Sequence, residues 1–136
     1  MHLISPLLHA PRLRLAWRFV MLLLVLVVCV LAFSPRAPGL NFNDADKLQH
    51  IVAFLCLGAC AALSLPAGRW SALAAGLSML AFGIVIEAVQ MHIPQRSAEW
   101  QDVVADALGV LVGLALVALA RRFWPLRGAS TQSVST

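Results

Sequence analysis

The chain has 136 residues, 61% of them hydrophobic and 12% charged, with ten Lys and Arg against six Asp and Glu and no Tyr. Soluble domains carry about 25% charged residues and roughly 45–50% apolar ones, so this composition excludes both an ordinary soluble enzyme and a disordered polypeptide. The net charge of +4 does not point to nucleic acid, because the basic residues flank apolar runs and form no stripe of their own.

A bilayer core asks for about 20 apolar residues per helix, within a range of roughly 17–25. Residues 1–15 form a basic N-terminal segment with Arg12 and Arg14, and the first apolar run follows at 16–33, around MLLLVLVVCVLAF. Its basic flank resembles that of a signal peptide, but the apolar core is long and a cut after Ser34 would leave Pro35 at the new N-terminus, so an uncleaved helix is expected. The segment 34–46, SPRAPGLNFNDAD, holds two Pro, a Gly and two Asn and reads as a loop. A second run occupies 48–65, and the turn PAGRW at 66–70 leads into a third at 71–90. A polar loop at 91–101 with Pro94, Arg96 and Glu99 precedes the fourth run at 103–120. After Arg121 and Arg122 the tail to 136 is small and polar and is expected to be disordered. The runs are continuous and show no period of two, which excludes a β-barrel.

The expected fold is therefore an all-α membrane protein with four transmembrane helices in one domain, 16–120. Trp17, Trp70, Trp100 and Trp124 each sit beside an expected boundary, where an apolar ring with a polar N–H is at home. Placing the N-terminus inside puts Arg12, Arg14, Arg18, Arg69, Arg121, Arg122 and Arg127 on the cytoplasmic side and leaves Arg36, Lys47 and Arg96 outside. Basic residues favour the cytoplasmic side, so both termini, including the tail 121–136, are expected there. All six acids then fall on the outer side.

Three helix ends meet at that outer side, and they carry the polar chemistry. The second helix opens DADKLQH, placing Asp46 and His50 one turn apart with Lys47 beside them. Glu87 lies a turn below the outer end of the third helix, followed by Gln90. The fourth helix opens with Asp102 and Asp106, again at i, i+4, and Arg96 precedes it. An ionisable group within a span is costly and pairs or faces a wet cavity. Glu87 is accordingly expected to pair with Lys47, His50 or Arg96, which share its depth. Asp46, Lys47 and Asp102 also fit plain helix caps at the water boundary, and His50 fits a hydrogen bond between helices. Glu87 and Asp106 sit deeper, where a structural bridge and acid–base work account for them equally well. Cys29, Cys56 and Cys60 read as small apolar packing residues. No nucleophile motif stands out, and no metal-ligand spacing beyond a lone His with acids, so neither metal nor cofactor is assigned. Gly109-x-x-x-Gly113 in the fourth run, Gly58 with Ala62 in the second, and Ala72, Gly76 and Gly83 in the third permit close helix packing.

The pattern DKLQHIVAF, then EAVQMHIPQRSAEWQD, then DVVADALGVLVG resembles the VanZ-like membrane proteins. In that family a D-K-x-x-H opens one span, an E-x-x-Q closes the next, and an Arg precedes D-x-x-x-N-x-x-G-x-x-x-G. The matching positions are Asp46, Lys47 and His50; Glu87 and Gln90; Arg96; and Asp102, Gly109 and Gly113, with Asp106 where the family commonly has Asn. The resemblance covers about residues 44 to 115. It implies a small multi-span protein of the bacterial cell envelope, in the inner membrane, with a polar site facing the periplasm and no named reaction.

Three function classes follow. In the first, the outer site binds or modifies a lipid-linked or cell-wall saccharide component. Glu87 or Asp106 would then serve as base, His50 as proton carrier, and Lys47 with Arg96 would hold an anionic group such as phosphate. In the second, the chain is a non-catalytic bundle or partner subunit whose polar network only locks the helices. The third, a proton path through Glu87 and Asp106, fits least, because the inner halves of the helices hold only Ser and Cys as polar groups. Membrane lipid is the one certain partner, and the sequence assigns no oligomeric state.

Overall fold

The computed structural model describes residues 11–34, 43–94 and 99–123, with the side chains of residues 11 and 43–46 outside the description. Four α-helices follow one another: α1 (Pro11–Phe33), α2 (Asn43–Ser64), α3 (Arg69–Gln90) and α4 (Trp100–Phe123). Each is long and apolar enough to cross a membrane, and the described residues include no strand. Every helix begins before its apolar run. Hydropathy marks the part surrounded by lipid, whereas the helix itself continues into the headgroup layer, where polar side chains stay hydrated.

Local chemistry sets the helix ends. Proline starts α1, where its missing N–H costs nothing. At the end of α2 the Ser64 hydroxyl donates to the Cys60 carbonyl at 2.7 Å, and Pro66 cannot continue the helix. Beyond α3, the amides of Met91, His92 and Ile93 donate to the carbonyls of Glu87, Val89 and Gln90. In α4 the first turn holds Asp102 and the last holds Arg121 and Arg122, charges that suit the two poles of the helix dipole.

Contacts between helices fix an antiparallel bundle. At one end Trp17 of α1 packs against Ala62 and Leu63 of α2 and Val117 of α4, and Arg121 donates to the carbonyls of Ala62 and Leu65 at 3.0 and 3.4 Å. The described helix-end arginines 12, 14, 18, 69, 121 and 122 all belong to this end. At the opposite end Gln90 of α3 donates to the Ala32 carbonyl of α1 at 3.1 Å. Four spans return the chain to the side on which it started.

The tightest pair is α2 with α4, and glycine makes it so. A Cβ at Gly58 would stand 3.0 Å from the Val110 carbonyl oxygen. One at Gly109 would run into the Ile51 carbonyl, and one at Gly113 into the Leu55 carbonyl. These backbones touch without an intervening side chain, which apolar lipid would otherwise have no reason to favour. Helix α1 lies at the periphery and leaves Phe19, Leu22, Leu23, Leu26 and Leu31 exposed, a surface suited to hydrocarbon. The largest side chains wholly inside are Phe54, Leu57, Ile86 and Asp106. Three are what a core requires; the fourth is an acid.

Candidate functional site

Asp106 lies one turn beyond Asp102 in α4, with no exposed surface. Its Oδ1 lies 2.8 Å from Nδ1 of His50, which α2 supplies about two turns inside its own start. A carboxylate can only accept, so Nδ1 donates and the imidazole is held in one orientation. The other oxygen, Oδ2, has no hydrogen-bond partner among the described residues. Gly83 of α3 faces it: a Cβ there would stand 2.5 Å from Oδ2. The absent side chain is what lets α3 close over this carboxylate.

Glu87, one helical turn beyond Gly83 on α3, is 6% exposed. Its Oε2 accepts the backbone N–H of Glu99 at 3.2 Å, and its Oε1 is buried with no hydrogen-bond partner among the described residues. Lys47 at the start of α2 approaches Glu99 instead, with Nζ 3.9 Å from Oε2 and both side chains partly exposed. Asp102 is 3% exposed in the first turn of α4. One ligand-type atom from each of His50, Glu87 and Asp102 can be chosen such that all three lie within 4.8 Å of one another. Three helices thus bring an imidazole and two carboxylates together beside a third, fully buried carboxylate.

Among the sequence candidates, His50, Glu87, Asp102 and Asp106 converge. Lys47 stands at the rim and Gln90 ties α3 to α1. The side chain of Asp46, and Arg96 as a whole, lie outside the described residues. Of the other two partners expected for Glu87, His50 bonds Asp106 and Lys47 meets Glu99, while the hydrogen bond of Glu87 itself goes to the Glu99 amide. Two contributors escape sequence reasoning: Glu99, which presents both its amide and its carboxylate, and Gly83, which makes room for Asp106. For Glu99 the available signal was its place three residues before Asp102, whose amide donates to the Glu99 carbonyl at 2.9 Å, as at a helix N-terminus. The three cysteines are free thiols, and Cys60 is buried in α2.

The arrangement has the ingredients of a proton-handling or cation-binding site: a fixed imidazole, two buried carboxylate oxygens with no hydrogen-bond partner among the described residues, and a cationic side chain at the rim. No curated protein and no solved structure matches the chain significantly. The family model described as VanZ/LLP1 matches residues 16–121. That match takes in all of α2 and α3, most of α1 and α4, and every site residue described above, and the chain belongs to the VanZ/LLP1 family.

Proposed function

We propose that this is a bacterial inner-membrane protein of the cell envelope, with both termini cytoplasmic, whose acidic end faces outward and binds or modifies a lipid-linked or cell-wall saccharide component. The observation that carries this reading is the burial of Glu87, Asp102 and Asp106 with His50 at one end of the bundle. Ionisable groups within a span are expensive, and packing alone would be served better by apolar side chains. Lys47 at the rim, with Arg96 in the adjoining loop, would hold an anionic group of the ligand. In a catalytic version Glu87, one of whose oxygens has no hydrogen-bond partner among the described residues, is the base, and the Asp106–His50 pair carries the proton.

A second reading is favoured by two specific contacts. The His50–Asp106 bond ties α2 to α4, and the Glu99 amide ties the start of α4 to Glu87 of α3. Such a network locks helices with no ligand at all, as in a non-catalytic partner subunit.

Native mass spectrometry of the protein released from membrane nanodiscs separates the two. The ligand-binding reading expects retention of a phosphate-bearing lipid over bulk phospholipid, and an approximately tenfold loss in Lys47→Ala, since a charged hydrogen bond contributes about 1.5 kcal/mol. Retention no greater than that of bulk phospholipid, together with a Glu87→Gln variant that keeps full cellular function, would leave only the lock.

A further inference from the structure

We propose that His50, Glu87 and Asp102 form a binding site for a divalent cation of the Mn2+ type, with Asp106 acting through His50 as a positioning residue. This goes beyond the outward-site reading and does not depend on what lipid or saccharide that site takes.

Four observations converge on it. The first is spacing. Atoms of three different ligating side chains, from α2, α3 and α4, lie within 4.8 Å of one another, the scale on which one ion can touch all three after small side-chain movements. The second is an unmet oxygen. Glu87 is 6% exposed, and its buried Oε1 has no hydrogen-bond partner among the described residues. Buried polar atoms are almost always bonded, and an exception calls for an unseen partner such as an ion. The third is the orientation of the imidazole. With Nδ1 given to Asp106 at 2.8 Å, Nε2 is the nitrogen left with a lone pair. A ligating histidine typically donates its other N–H to a carboxylate, which fixes the tautomer and strengthens the ligand. Asp106 stands in that relation to His50, and Gly83 leaves room for it.

The fourth is charge. Glu87, Asp102 and Asp106 are all buried, and among the described residues the one basic side chain hydrogen-bonded to this group is His50. Lys47 is drawn to Glu99 at the rim. A divalent cation would balance two carboxylates inside a span, where uncompensated charge is costly. The donor set selects its kind. One imidazole with carboxylate oxygens, and positions left for water, suits an octahedral first-row ion such as Mn2+ better than a thiolate-seeking one. None of the three cysteines is needed.

The test uses the full chain in detergent, stripped with chelator, with Mn2+ alone as probe and the free-ion electron paramagnetic resonance signal as readout. Wild type is expected to remove one equivalent of Mn2+. Glu87→Gln, Asp102→Asn and His50→Gln should each weaken binding at least about tenfold, and Asp106→Asn by about tenfold through loss of its hold on His50. His92→Gln, at an exposed imidazole beyond α3 whose Nδ1 meets the Ala88 carbonyl, should keep the full equivalent. Pulsed measurements on wild type need no variant to fold: the bound ion should show nitrogen coupling from the His50 ring. Absence of tight Mn2+ binding to wild type, a bound ion without nitrogen coupling, or equal binding by wild type and correctly folded Glu87→Gln would each overturn the site.

Discussion

Replacing Gly109 with leucine is expected to destabilise the bundle more than the loss of any one polar contact in it. Even a lone Cβ at this position would overlap the Ile51 carbonyl oxygen and come within 3.0 Å of the Leu55 amide nitrogen. Those atoms are backbone inside a hydrogen-bonded helix and cannot swing aside as a side-chain tip would. Accommodation requires α2 and α4 to move apart along their whole interface, which also withdraws the contacts at Gly58 and Gly113. Overpacking usually costs about 1–3 kcal/mol, and a backbone-to-backbone clash belongs at or above the top of that range. The thermal transition of the purified protein in detergent should fall markedly or vanish. Leucine at Gly68, where an added Cβ meets nothing within 4 Å, should leave it nearly unchanged. A transition equal to wild type in the Gly109 variant would contradict the close contact.

The next largest effect is expected at His50. Changing it to leucine leaves Asp106 with no exposed surface and no hydrogen bond to either oxygen among the described residues. Breaking a buried pair by removing one partner costs about 3–5 kcal/mol. The lower figure suits a pair within about two turns of the helix starts, so a loss of around 3 kcal/mol is expected. The sign of the coupling is the sharper test. Adding Asp106→Ala to His50→Leu removes the stranded carboxylate, so the double variant should be more stable than the sum of the two singles by about 2 kcal/mol. Equilibrium unfolding of the four proteins measures it. Simple additivity would show that the two side chains do not depend on each other.

The four helices were legible because the signal for a span is local: a continuous apolar run with charge, Pro or Trp at its borders. The gathering of polar groups at one end was legible for the same reason. It follows from the position of Glu87 near the end of one run and of His50 and Asp106 near the starts of two others. Partner choice was not legible. Whether His50 meets Glu87 or Asp106 depends on how each helix is rotated about its axis, and that rotation is set by glycine contacts spread over Ile51, Leu55, Ala59 and Val110. The ligand-type trio was hidden likewise, since its members are 37 and 15 residues apart in sequence and share no motif. Gly83 was visible as a small residue suited to packing, but that it makes room for a carboxylate depends on where α4 lies. Glu99 looked like one more loop acid until the structure placed its amide against Glu87.

The proposed orientation turns the end of the bundle that carries His50, Glu87 and Asp102 toward the outside of the cell. Labelling of single cysteines in intact cells, with Cys29, Cys56 and Cys60 replaced by alanine, tests it most directly. Glu99 at the rim and Gly68 in the α2–α3 turn lie at opposite ends of the bundle, and both are exposed. Glu99→Cys should react with a membrane-impermeant maleimide in intact cells, whereas Gly68→Cys should react only after the membrane is opened. The reverse pattern would turn the site toward the cytoplasm and contradict the envelope-facing role.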